Sequence, residues 1–188
     1  PYLEWRRSGF SEGTSCQDCH MPAVAEKVPI TSVLGQAHED VSQHVFVGGN
    51  AFMQRLLSRF REELRVVSPS RELEMAALKT TAHLQSEAAR VSIESAEVRD
   101  GRVAARVSVE NLAGHKLPTA YPSRRAWLHV VVRERGGNIV FESGGWDQRG
   151  AIRGNDNDED PSRYEPHYAE ITEPGQVQIY ESIMVDAA

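Results

Sequence analysis

Cys16-Gln17-Asp18-Cys19-His20, running directly into Met21-Pro22, contains both cysteines of this 188-residue chain. Two residues separate the thiols, and a histidine follows the second without a gap. At that spacing both thiols reach the two vinyl groups on one edge of a porphyrin. The ring is then pinned over the next residue, where His20 meets the iron from the proximal side. Cys-x-x-Cys-His is therefore read as a c-type haem attachment site, with Cys16 and Cys19 as the covalent anchors and His20 as one axial ligand.

Two other chemistries use the same residues. A Cys-x-x-Cys pair serves as a dithiol/disulfide couple when it sits in a thioredoxin-like βαβ setting, and no such pattern surrounds it here. It also supplies half of a zinc site, with histidines as the other half. His38 and His44 have a suitable five residues between them, but 18 residues separate Cys19 from His38, longer than the usual finger.

Composition narrows the classes further. The net charge of −6 gives no reason to expect nucleic-acid binding. Two cysteines are too few for a disulfide scaffold. No apolar run approaches the length of a membrane span, and no basic-then-apolar leader is present. A chain beginning at Pro1 is expected to be a processed chain or an excised piece of a longer one. Thioether-bound haem is assembled outside the cytoplasm, so the expected location is the periplasm or the cell surface.

Outward from the motif, Trp5 and Phe10 are aromatics suited to a small core or to covering a haem face. Residues 21–49 carry little periodicity and are broken by Pro22, Pro29, Gly35, Gly48 and Gly49, as expected of a long segment wrapped around a cofactor. Asn50 reads as an N-cap to a helix bearing Phe52, Met53, Leu56, Leu57, Phe60 and Leu64 at helical spacing. Ser68-Pro69 reads as a second N-cap with proline in the first turn. Leu73, Ala76, Ala77, Thr80 and Leu84 then form a second stripe to about Ala88. After Ala89 the period falls to two. Strands are expected around Val91–Ile93, Val103–Val109, Ala126–Val132, Ile139–Phe141 and Val177–Val185, with turns at Asp100-Gly101 and Gly136-Gly137-Asn138. The expected architecture is α+β. A helical and loop haem-binding part, 1–88, precedes an antiparallel β-sandwich-like domain, 89–188, truncated at its carboxy-terminal end.

Six histidines remain as partners on the far side of the iron. Met21 is excluded because it cannot pass from the proximal side to the opposite face. His44, in Gln43-His44-Val45-Phe46-Val47-Gly48-Gly49, is close enough in sequence to fold over the ring and is the first choice. His38 stands beside Glu39 and Asp40, in a more solvated setting. His115 lies in a loop punctuated by Gly114 and Pro118, and such loops carry function. Arg124 and Arg125 follow it and suit haem propionates. His129 falls within a strand, and His167 is a further loop candidate. His83, between Lys79 and Glu87 at four-residue spacing, suits a solvated helix surface and is set aside. The run 155–160 offers Asp156, Asp158 and Asp160 as Ca²⁺ ligands, but it lacks the glycine and the distant glutamate of an EF-hand loop. A solvated acidic loop is the simpler reading.

Taken together, Cys-Gln-Asp-Cys-His-Met-Pro, His-Val-Phe-Val-Gly-Gly-Asn and Gly-His-Lys-Leu-Pro-Thr-Ala-Tyr-Pro-Ser-Arg-Arg-Ala-Trp-Leu-His resemble the multihaem cytochrome c family of bacteria. The Cys-His-Met-Pro ending is also similar to that of pentahaem cytochrome c nitrite reductases. The resemblance implies bis-histidine haems, further attachment sites in the parent protein, and electron transfer with other haem domains and redox partner proteins. It also implies a downstream histidine as distal ligand, sometimes to a haem bound elsewhere. The chain departs from that pattern in having one attachment motif, which leaves open whether His44 and His115 serve the local haem or a neighbour. The expected function is electron transfer as a module of a larger multihaem cytochrome. One alternative is a haem enzyme module with an open distal site, acting on a small nitrogen compound. The other is a docking domain in which Cys16, Cys19, His38 and His44 hold zinc or the site stays empty.

Overall fold

The computed structural model describes residues 1–121, 124–154, 157, 160 and 163–182. Two compact units are present, Tyr2–Gly114 and His115–Ala188, with Pro1 grouped with the second. The division falls after Gly114, so the long hairpin expected to open the second domain belongs to the first unit.

The amino-terminal unit begins with the short helix α1, Tyr2–Trp5. The Trp5 indole donates to the Thr14 carbonyl at 2.9 Å, and Tyr2 stacks on Trp5. Trp5 and Phe10 lie close to the backbone of Gly114, where a methyl group would sit 3.3 Å from Trp5. These aromatics therefore pack a local core. The helix α2, Cys16–His20, follows.

The chain leaving α2 is matched by a returning segment. An antiparallel pair, β1 (Val28–Pro29) with β2 (Ala37–His38), closes the far end. Nearer the helix, the Val24 amide donates to Val41, the Gln43 amide to Pro22 and the Val47 amide to His20. Residues 21–47 thus form an arch whose two arms are joined by backbone hydrogen bonds at several levels.

Two helices come next. In α3, Ala51–Arg59, Asn50 occupies the N-cap position, but its side chain makes no capping bond. The helix α4, Ser70–His83, has Pro69 as its N-cap and not in the first turn. The proline carbonyl accepts from the amides of Glu72 and Leu73, and the amide hydrogen that proline lacks is not needed at that position. Ala77 and Thr80 of α4 are buried. Gln54 and Thr80 approach at 3.5 Å, and an exposed Arg55–Glu74 pair at 3.3 Å also joins the two helices. Beyond His83 the coil widens into a π-helical turn, Leu84–Ala88, giving 19 helical residues in all.

The hairpin of β3 (Ala89–Arg99) and β4 (Arg102–Asn111) ends the unit. Its loop is Asp100-Gly101, with φ of 51° and 74°. Two successive positive φ angles define a type I′ turn, whose twist matches that of the flanking strands. The apolar residues pair across one face, Val91 with Val109, Ile93 with Val107 and Val98 with Val103, and all six are exposed.

In the carboxy-terminal unit the strand expected over Ala126–Val132 is broken at Leu128-His129. β5 (Arg125–Trp127) pairs with β8 (Ile179–Glu181), while β6 (Val130–Arg133) pairs with β7 (Ile139–Ser143). The break has a local cause. Gly144, at φ +79°, approaches the Leu128 carbonyl so closely that a Cβ would collide with it. Ile152, Val177 and Ile179 form the core against Trp127, whose indole donates to the Gly144 carbonyl at 2.9 Å. Ile183 and Val185 lie outside the described residues. The fold is α+β, with the helices in the amino-terminal unit and, among the described residues, antiparallel strand pairs in both units. Among the described residues each sheet has two strands.

Candidate functional site

The motif Cys16–His20 is itself a helical turn, and its start is built by its neighbours. Ser15 is the N-cap, extended at φ −83° and ψ 169°. The Asp18 amide donates to the Ser15 hydroxyl at 3.4 Å, and the Asp18 carboxylate accepts from the Ser15 amide at 2.6 Å. This reciprocal capping box satisfies amides that a helix start leaves without partners. It also holds the Asp18 carboxyl below its ordinary value, chiefly through the backbone bond to Ser15. Helical geometry then does the rest. Residues three and four apart share a face, so Cys16 aligns with both Cys19 and His20.

Both thiols are exposed and neither is in a disulfide. The Cys19 thiol is pushed above its ordinary value, first by burial and then by the acidic Asp18 and Glu87. Its setting favours a protonated thiol.

His20 is held by the returning arm of the arch. Its Nδ1 lies 2.5 Å from the Val47 carbonyl oxygen, and the Val47 amide donates to the His20 carbonyl at 3.0 Å. A carbonyl oxygen carries no hydrogen, so Nδ1 is the donor of this bond, and the neutral ring then presents its lone pair at Nε2. Metal-binding histidines are commonly fixed this way, by donation from the second ring nitrogen to a carbonyl. Val47 is buried, at 6% exposure, which anchors the carbonyl.

The end of α4 forms the other side of the site. The His83 ring centre lies 6.0 Å from that of His20, with 51° between the ring planes. Burial lowers the His83 pKa, the neighbouring His20 lowers it further, and Glu87 opposes both. His83 is thus biased toward the neutral imidazole, the form that binds metals.

The other histidines fall elsewhere. His44 is exposed, and its ring packs edge-on to Phe46 at 5.9 Å. His38 is exposed in β2. His115, His129 and His167 belong to the carboxy-terminal unit. There His115 Nδ1 lies 3.0 Å from the Lys116 carbonyl, His129 pairs with Glu142 at 2.9 Å, and His167 packs on Tyr180. Among the described residues no three His, Cys, Asp or Glu side chains converge as a metal set, so Cys16, Cys19, His38 and His44 do not form a zinc tetrahedron. Asp156 and Asp158 of the expected Ca²⁺ loop lie outside the described residues, and Asp160 pairs with Arg163 at 3.8 Å.

Two partners escaped sequence reasoning. The Val47 carbonyl is a backbone group and leaves no mark in composition. His83 did leave one. It stands three residues after Thr80 and seven after Ala76, on the stripe that faces inward, and the charges at Lys79 and Glu87 masked that.

No family model matches the chain, and no curated protein or solved structure is significantly similar to it.

Proposed function

We propose that this chain is an electron-transfer module carrying one covalently attached c-type haem, part of a larger multihaem cytochrome that works in the periplasm or at the cell surface. One observation carries the reading. Cys16, Cys19 and His20 lie on one capped helical turn, and the Val47 carbonyl fixes the proton on His20 Nδ1.

The residues present fit the group. Two exposed thiols are accessible to vinyl carbons. In each attachment the sulfur bonds one vinyl carbon and the thiol hydrogen passes to the other, so no atom is lost and no oxidant is required. The haem, once attached, supplies a one-electron ferric/ferrous couple, its potential set by the axial ligands. The capping box holds the two sulfurs in register. Val47 orients the His20 ring and raises its basicity as a ligand. Among the described residues no helix is long and apolar enough to cross a membrane. The expected partners are the other haem domains of the parent protein and its redox partner proteins.

The test is to express the chain with a functioning periplasmic maturation system and look for haem that survives denaturing electrophoresis. Cys16→Ser with Cys19→Ser should abolish that signal. Finding both sulfurs free, or joined to each other, in wild-type chain from that system would sink the proposal. A low-spin ferric spectrum unchanged by cyanide or nitrite separates an electron carrier from an enzyme with an open iron site.

A further inference from the structure

We infer that His83, at the end of α4, is the second axial ligand of the haem whose first ligand is His20. The inference rests on the haem reading above and adds to it the residue that closes the iron.

The argument is one of distance and of which ring nitrogens are engaged. Metal–imidazole bonds are about 2 Å long, so two imidazoles facing one metal have ring centres roughly 6 Å apart. The His20 and His83 rings are 6.0 Å apart. The 51° between their planes is permitted, because each ring can turn about its own metal–nitrogen bond. Ordinary ring contacts also span about 4.5–7 Å, so separation alone does not decide. The tautomer adds what separation lacks. His20 Nδ1 is engaged by Val47, so a metal bound to this ring would sit at Nε2. The backbone around His83 is also unusual. The α-helix gives way to a π-helical turn at Leu84, directly after it. Such turns are rare and concentrate at functional sites. His44, by contrast, is exposed and packs its ring edge-on to Phe46.

Ligation by two imidazoles makes the iron low-spin and coordinatively closed, in keeping with a relay. The test uses haem-loaded chain from the periplasmic system, read by ferric absorption and electron paramagnetic resonance. Wild type should be low-spin. His83→Ala should keep its covalent haem, lose the low-spin signal, and regain it when imidazole is added. His44→Ala should remain low-spin. His83→Met fills the space and offers a thioether, so it covers the case in which the alanine variant does not fold. It should stay loaded with haem and show a raised midpoint potential.

Low-spin His83→Ala without added imidazole, or His83→Met with wild-type spectrum and potential, overturns the assignment while leaving the haem module standing. Absence of covalent haem from wild type overturns both.

Discussion

At the scale of single residues, the site depends on the backbone of one residue. Val47 bonds His20 twice, through its amide to the His20 carbonyl and through its carbonyl to the imidazole. Its side chain keeps that backbone in place by being buried. Val47→Ala should therefore cost about 2 kcal/mol of stability, measured by urea unfolding of the haem-free chain. In the other unit, Asp147 plays a comparable local role. Its carboxylate accepts from the amides of Arg149 and Ala151 at 2.8 and 3.0 Å, and these bonds hold its pKa below the ordinary 3.8. A depressed carboxylate adds stability that is fully present above 3.8 and is lost as pH falls through the lower folded value. Asp147→Asn should lower the melting temperature at neutral pH and flatten that acid limb, as read by melting curves across the acid range.

At the scale of elements, α4 connects packing to the site. Ala77 is fully buried, at 0% exposure, and Thr80 lies one turn on. His83 follows a turn after that, so whatever seats α4 against α3 also sets the height of His83. Ala77→Leu should overpack the contact and destabilise the unit by about 1–3 kcal/mol. It should also broaden the haem spectrum by displacing His83, while Ala77→Ser, of nearly the same volume, should leave the spectrum unchanged. The β3–β4 hairpin is built differently. Its type I′ loop and cross-strand valines specify its register locally, yet its apolar face is exposed. Local pairing fixes its shape without a core beneath it.

At the scale of the whole molecule, the two units carry separate assignments. The carboxy-terminal unit is organised around Ile179, Val177 and Ile152 with Trp127, and the residues assigned to the haem all lie in the amino-terminal unit. Ile179→Ala should therefore destabilise the carboxy-terminal unit by about 2–5 kcal/mol, seen as an earlier transition in calorimetry. Covalent haem on denaturing gels should be unchanged. The sandwich-like expectation for residues 89–188 came from alternation, which marks one apolar face per strand. Which strand pairs with which is a separate matter. Leu128-His129 breaks the expected third strand, and its two halves go to different partners.

The sequence by itself determined the Cys-x-x-Cys-His spacing, the α+β class, the two main helices and the Asp100-Gly101 hairpin. Each depends on residues close together along the chain: a five-residue spacing, a 3.6-residue period, or a turn with two positive φ angles. Tertiary structure alone decided that the arch returns to place the Val47 carbonyl on His20, and that His83, not His44, lies against that ring. Those contacts join residues 27 and 63 positions apart. Chain closure over such separations is set by backbone hydrogen bonding and helix packing, which leave no periodic trace at the residues they bring together.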